Sequence, residues 1–171
     1  MDFFNNKKRV VQRAIVSAVA SSLIAFNSFA STSEDYEKAL TAFNQNEYDE
    51  AYIHLKNSLQ KDPENLAAKI LMGEILLING YLTAAEMEFV EALEMGADIN
   101  LLAEPLGNTW LFLNRYQEIV DFSDLNKLSG DAEREWLMIR ATACIRLEDE
   151  QCALRDYNTI VSRTPNFVPA I

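Results

Sequence analysis

The sequence predicts an all-α protein built from stacked helix-turn-helix hairpins. Three observations lead there. Apolar residues recur with helical spacing on both sides of short turn signals, the clearest being Asn79-Gly80 within the stretch Leu66 to Ala97. Small and large residues recur at an interval of about 34 residues, the length of one such hairpin. Runs of alternating β-branched residues are absent, and with only 5 Gly and 4 Pro the chain carries little turn chemistry for a sheet.

The stretch Leu66 to Ala97 sets the register. Gly73 and Leu76 lie before its turn, and Ala85, Phe89 and Ala92 after it. Small residues let two helices approach closely, and large ones fill the space beside the contact. One interval away, Gly73 meets Ala39, Gly107 and Ala141. Ala85 meets Ala51, Ile119 and Ala153, and Phe89 meets Leu55, Ser123 and Tyr157. Leu82 meets Tyr48, Tyr116 and Glu150, while Ala97 meets Pro63, Asp131 and Pro165. The frame yields about four antiparallel helix pairs, in units near 32–65, 66–99, 100–133 and 134–167, so that the array spans 31–171. Unit three keeps the pattern only in its first helix and Tyr116.

In unit one, Thr32 or Ser33 caps a first helix that runs to about Gln45. Asn46-Glu47 turns the chain, and a second helix, Tyr48 to Gln60, stops before Asp62-Pro63. Unit two pairs Glu64 to Ile78 with Thr83 to Glu94, ended by Gly96. Unit three carries Pro105, so its first helix either begins near Glu104, with Pro105 in the first turn, or is kinked there. Its second helix replaces the small-large-small set with Ile119, Ser123 and Asn126, which predicts looser or shifted packing. Ser129-Gly130-Asp131 stops that helix and caps the next. Ala132 to Leu147 and Asp149 to Ser162 form the fourth pair, which ends at Thr164-Pro165. No fifth unit follows from Val168, which leaves Leu154, Tyr157 and Val161 on an open last helix. Either the chain is the front of a longer array, or this face meets a partner or a second copy.

With these residues in register, the pattern resembles the tetratricopeptide repeat (TPR). The resemblance covers nearly everything after residue 31 and implies a superhelical solenoid whose first helices line a groove for partner proteins. The groove positions it implies are Tyr36, Leu40, Phe43 and Asn44 in unit one, and Ile70, Glu74, Leu77 and Ile78 in unit two. In unit three they are Glu104, Asn108, Leu111 and Phe112, and in unit four Met138, Thr142, Ile145 and Arg146. These side chains either face a partner or pack against the neighbouring unit. A mostly apolar groove suits an amphipathic helix or an extended segment. Chaperone-binding members of the family grip a C-terminal carboxylate with Lys, Arg and Asn. The matching positions here offer Asn44, Asn108 and Arg146 but no lysine, which argues against that mode. The run Ala92 to Phe122 is similar to the early repeats of long TPR lipoproteins of the PEP-CTERM/exosortase system, in its Leu-x-x-Gly repeat end, its proline in the next first helix and its Tyr-Gln-x-Ile-Val. That similarity implies a role in envelope protein sorting or exopolysaccharide export. The chain departs from those lipoproteins in having no Cys at the end of its N-terminal apolar run.

Residues 1–30 read as a separate object. Lys7, Lys8, Arg9 and Arg13 precede an apolar run, Ala14 to Phe26, and Ser28-Phe29-Ala30 supplies small residues before a cut. This is the layout of a secretory signal peptide cleaved after Ala30, which places the product in the periplasm or outside the cell. The alternative, an uncleaved anchor, needs about 20 apolar residues, more than the run contains. The whole chain carries a formal charge of −11, and the part after residue 30 is more negative still, because the leader is basic. Such a surface repels nucleic acid and anionic headgroups and favours solubility or a basic partner.

The residues nominate no enzyme. His54 is the single histidine and has no neighbouring nucleophile motif. It lies between Ile53 and Leu55 on the second helix of unit one, and its offset from Ala51 places it toward the outside, which predicts a solvated imidazole. No glycine-rich phosphate loop is present, and Glu148-Asp149-Glu150 reads as a solvated turn. No metal or cofactor is implied. The two cysteines, Cys144 and Cys152, flank the turn of unit four and form either a disulfide, which export permits, or two buried thiols. The expectation is an exported protein-interaction scaffold without catalysis or cofactor. A structural module that self-associates through its last repeat is the alternative.

Overall fold

The structure, a computed structural model, describes residues 34–163. The expected leader with its cut after Ala30, the caps Thr32 and Ser33, and Thr164-Pro165 lie outside them. Helix α1 occupies residues 34–44. There follow α2 (Tyr48–Lys61), α3 (Leu66–Ile78), α4 (Leu82–Glu94), α5 (Ile99–Phe112) and the short α6 (Tyr116–Val120). A 3₁₀ turn (Ser123–Lys127) then leads to α7 (Gly130–Arg146) and α8 (Glu150–Arg163). No strand occurs among the described residues, so the fold is all-α. None of these helices is long and apolar enough to cross a membrane. The chain divides into two compact units between Asn65 and Leu66.

In the first unit α1 and α2 form one antiparallel pair. Ala39, Ala42, Ala51 and Leu55 are buried, and the Phe43 ring meets Tyr48 edge-on at 5.7 Å. Lys61 at the end of α2 reaches Asp35 at the start of α1, Nζ to Oδ2 2.5 Å.

The turn that closes this pair recurs down the chain. Asn46, Gly80, Asn114 and Glu148 all adopt positive φ, at 62°, 78°, 58° and 62°. They are spaced by the repeat interval. After each one, the next residue donates its N–H back over the helix end: Glu47 to Ala42 O, Tyr81 to Leu76 O, Arg115 to Trp110 O and Asp149 to Cys144 O, at 2.8–2.9 Å. This is the Schellman ending, in which a left-handed residue lets the chain reverse and satisfy the last carbonyls. Gly takes that conformation without penalty and Asn at little cost, but Glu148 is strained there.

The second unit holds three hairpins. Between α3 and α4 the backbone at Gly73 lies against the Phe89 ring, where an added Cβ would come within 2.4 Å of Phe89 Cε1. Ala85, Phe89 and Ala92 are fully buried beneath it. Beside this contact Lys69 is buried and bridges Glu91 at 3.1 Å and Glu88 at 3.7 Å. Burial holds the Glu88 carboxyl above the usual range, and Lys69 partly offsets this.

Unit three departs from expectation. Its first helix does not start near Glu104, which leaves the alternative in which the proline lies inside the helix. It begins at Ile99, capped by the Asp98 carboxylate, which accepts from Asn100 N at 2.9 Å, and it runs through Pro105. That hydrogen bond holds the Asp98 carboxyl below its usual range. The cap acts together with Ile99, Leu102, Ala103 and Leu106, whose burial in the core holds the turns on both sides of the proline. The second helix is cut to five residues and gives way to the 3₁₀ turn. The shifted packing expected from Ile119, Ser123 and Asn126 has a specific form. Where Phe89 covers Gly73 in unit two, Ser123 cannot cover Gly107. Ile139 and Trp136 of α7 do so instead, at 3.0 and 3.1 Å from the glycine's Cβ direction. Trp136 is the largest fully buried side chain among the described residues and meets the tilted Phe122 ring at 4.4 Å and Trp110 edge-on at 6.1 Å.

In unit four α7 starts at Gly130, two residues before the expected Ala132, with Ser129 before it. Its pairing with α8 is fixed at two places. Cys144 and Cys152 are joined, their Cα atoms 5.8 Å apart. Arg140 grips the buried Asp156 with two hydrogen bonds, Nε to Oδ2 2.8 Å and Nη2 to Oδ1 2.5 Å.

Two substitutions test this account. Gly73→Ala is expected to cost about 1–3 kcal/mol, as overpacking does, and Phe89→Leu in the same chain should recover part of the loss in a denaturant titration. Glu148→Gly is expected to stabilise by roughly 0.5–1 kcal/mol, the strain it removes less the chain entropy it adds. A fall in the denaturation midpoint would contradict the strain.

Candidate partner-binding surface

The first helices α3, α5 and α7 of the second unit are successive neighbours. The repeat interval therefore lines up their residues in rows. Ile70, Glu104 and Met138 form one row, Glu74, Asn108 and Thr142 the next, then Leu77, Leu111 and Ile145, and last Ile78, Phe112 and Arg146. None of these side chains is buried. Ile70, Glu74, Leu77, Asn108, Leu111 and Met138 are half-buried, and the others are exposed. Ile70, Leu77 and Leu111 also pack on the core beneath, so each helps to hold its helix while showing one side outward. Three large apolar side chains stand well clear of the core: Ile78 at 50 % exposure, Phe112 at 65 % and Ile145 at 55 %. In the first unit Tyr36, Leu40 and Phe43 are half-buried and Asn44 is exposed.

The face is divided chemically. Its last two rows, next to the turns, form an apolar edge that ends in Arg146. The two rows before them hold its carboxylates. Burial raises the pKa of Glu74, and the Glu104 charge on the adjacent helix raises it further. Both effects disfavour the ionised form. Neither carboxylate receives a hydrogen bond or an ion pair from the other described residues.

Other polar clusters are already engaged or open to water. Cys144, Cys152 and Asp156 bring three ligand-type atoms within 4.8 Å of one another, but the sulfurs are bonded and Arg140 holds the carboxylate. On the first unit a cleft of about 490 Å³ is lined by residues including Glu34, Glu37, Glu47, Glu50 and His54. His54 is half-buried there rather than solvated, with Nε2 3.6 Å from Glu50 and Nδ1 without a hydrogen-bond partner. Neighbouring α1 shelters the ring, which the flanking residues alone did not indicate. Residues that the repeat frame did not flag include Glu86, which accepts from Trp110 Nε1 at 2.9 Å and pairs with Arg115, tying α4 to the next hairpin.

No protein-family model matches the sequence, and no curated protein matches it. Among solved structures, the fold is similar to that of a tetratricopeptide repeat protein from Parabacteroides merdae, with a TM-score of 0.71 and 22 % sequence identity. The match covers 81 % of this chain and 56 % of that one, so the present chain spans little more than half of its neighbour. The fold is therefore TPR-like.

The raised pKa of Glu74 has a definite sign for stability. A carboxyl with a folded pKa above its unfolded value costs stability once the pH exceeds the folded pKa, and nothing below the unfolded one. Glu74→Gln is accordingly expected to raise Tm at neutral pH, with the gain shrinking as the pH falls through the glutamate range. An unchanged or lower Tm at neutral pH would show that Glu74 is stabilised by the chain itself.

Proposed function

We propose that the protein is an interaction scaffold that receives a segment of a partner protein on the face formed by α3, α5 and α7. TPR-like folds commonly serve as protein-interaction scaffolds. The observation that carries the reading here is the exposed apolar edge of Ile78, Phe112 and Ile145, at matching ends of successive first helices. Large apolar groups grouped in this way mark interaction sites more often than isolated ones do. The net charge of −11 favours a protein partner over nucleic acid.

The basic start and apolar run of residues 1–30 support export to the periplasm or beyond, by way of a cleaved signal peptide. A cysteine pair placed to bridge α7 and α8 suits an oxidising compartment. The resemblance of Ala92 to Phe122 to repeats of the PEP-CTERM/exosortase system supports a place in envelope protein sorting or exopolysaccharide export. A second reading, self-association through the last helix, is favoured by the exposure of Leu154 and Val161 on α8.

Phe112→Ala separates the scaffold reading from a packing role. It is expected to leave the unfolding free energy within about 0.5 kcal/mol of the parent and to weaken capture of partners from an envelope extract. Phe89→Ala, in the core, should cost about 3–5 kcal/mol. A loss of that size at Phe112 would remove it from the binding face. The native mass of the same samples across concentration reports on the second reading, which a constant monomer mass would end.

A further inference from the structure

We infer that the partner segment carries a lysine or arginine close to its apolar anchor, and that this cation sits against Glu74 and Glu104. The inference rests on the scaffold reading above and adds the chemistry of the occupant.

The chain supplies a partner to its other recessed carboxylates. Asp35 is met by Lys61, Glu86 by Arg115, Glu88 by Lys69, Glu133 by Arg163 and Asp156 by Arg140. Asp124 is met by Lys127 and Glu135 by Arg134, and Asp62 accepts a hydrogen bond from the backbone of Glu64. Among the described residues Glu74 alone is half-buried and acidic with no such partner. It is also close enough to Glu104 for the two charges to repel. Taking an ionised carboxylate partly out of water without a counter-charge is unfavourable, and a second carboxylate beside it adds to the cost. A cation from outside the chain relieves both.

The surroundings narrow the ligand. A free metal ion or polyamine would need only the carboxylates. Here Leu77 and Ile78 follow Glu74 by one helical turn, about 5 Å along the axis, and Leu111 and Phe112 follow Glu104 by two turns, roughly 11 Å, on the adjoining helix. One ligand can therefore touch the acids and the apolar edge together only if it carries a positive charge and a greasy surface within a few residues of each other. A protein segment does this with Lys or Arg one to four residues from Leu, Ile or Phe. The negative charge of the whole chain draws such a segment in. The reverse polarity, an acidic segment or a free carboxylate terminus, meets two like charges at the centre of the face.

A displayed library of random 12-residue peptides, selected on the full chain at low salt, tests this. Peptides retained by the parent chain are expected to be enriched in Lys or Arg within four positions of a large apolar residue. In the double variant Glu74→Gln, Glu104→Gln the basic enrichment should fall about fivefold while the apolar enrichment persists. Glu94→Gln with Glu118→Gln makes the same change in net charge on the second helices α4 and α6, outside the face, and should leave both enrichments unaltered. Circular dichroism of each variant establishes that it is folded. Apolar enrichment without basic residues, or basic enrichment that survives at Glu74 and Glu104 or is lost equally with the distant pair, would overturn the cation assignment and leave the scaffold reading in place. Retention that does not depend on Phe112→Ala would overturn both.

Discussion

Each hairpin depends on one residue holding a left-handed backbone conformation. At Asn46, Gly80, Asn114 and Glu148 the chain leaves one helix, turns through positive φ and enters the next with the same backbone hydrogen bonds. This conformation fixes where the first helix stops and the direction in which the second departs. Side-chain packing then needs only to choose among neighbours already placed side by side. Ala39, Gly73, Gly107 and Ala141 are all buried at one position, and Ala51, Ala85, Ile119 and Ala153 at another. The turn is local, and the packing beneath it can vary without moving the helix ends.

Unit three shows how far that variation goes. Its second helix has too few apolar residues to form a full partner for α5, and it breaks after one turn and a half into a 3₁₀ segment. The volume that Phe89 fills in the preceding hairpin is filled by Trp136 from the following one. The substitution is not a loss of core. It replaces a contact within a hairpin by a contact between hairpins, so units three and four depend on each other more than units two and three need to. The Cys144–Cys152 bond and the Arg140–Asp156 pair then keep α8 fixed to the helix that carries Trp136.

The parts of this fold that were legible in the sequence are those set by volume. A glycine facing a phenylalanine, at Gly73 and Phe89, can be seen from spacing alone, and so can the limits of α2, α4 and α8 to within a residue or so. Pro105 obscured the start of α5, because a proline costs a helix both a donor and a clash with the carbonyl four residues back, while the burial of Ile99, Leu102 and Ala103 that holds the turns before it shows only in the folded chain. Trp136 carried no signal, because its role follows from the failure of Ser123 to reach Gly107, and such a failure becomes visible only in three dimensions. The candidate face was legible as a set of positions, Ile78 and Phe112 among them. The missing counter-charge at Glu74 was not, since the cations that serve Glu86, Glu88 and Asp156 come from other helices. His54 looked solvated for the same reason: the helix that shelters it lies elsewhere in the chain.

The aromatic cluster has a consequence for how the molecule is observed. The chain contains 2 tryptophans, Trp110 and Trp136, and both sit in the same cluster with Phe122. Intrinsic tryptophan emission therefore reports on a single locality, the junction of α5 with α7. Their ring centroids lie 6.1 Å apart, so the two indoles will exchange excitation and behave as one probe. The α1–α2 pair contributes only tyrosine to the signal, and its loss of structure would pass unseen at the red edge of the spectrum. A melting curve followed by tryptophan emission is thus a record of one joint in the array, and by that signal the hairpin before residue 66 needs a label of its own.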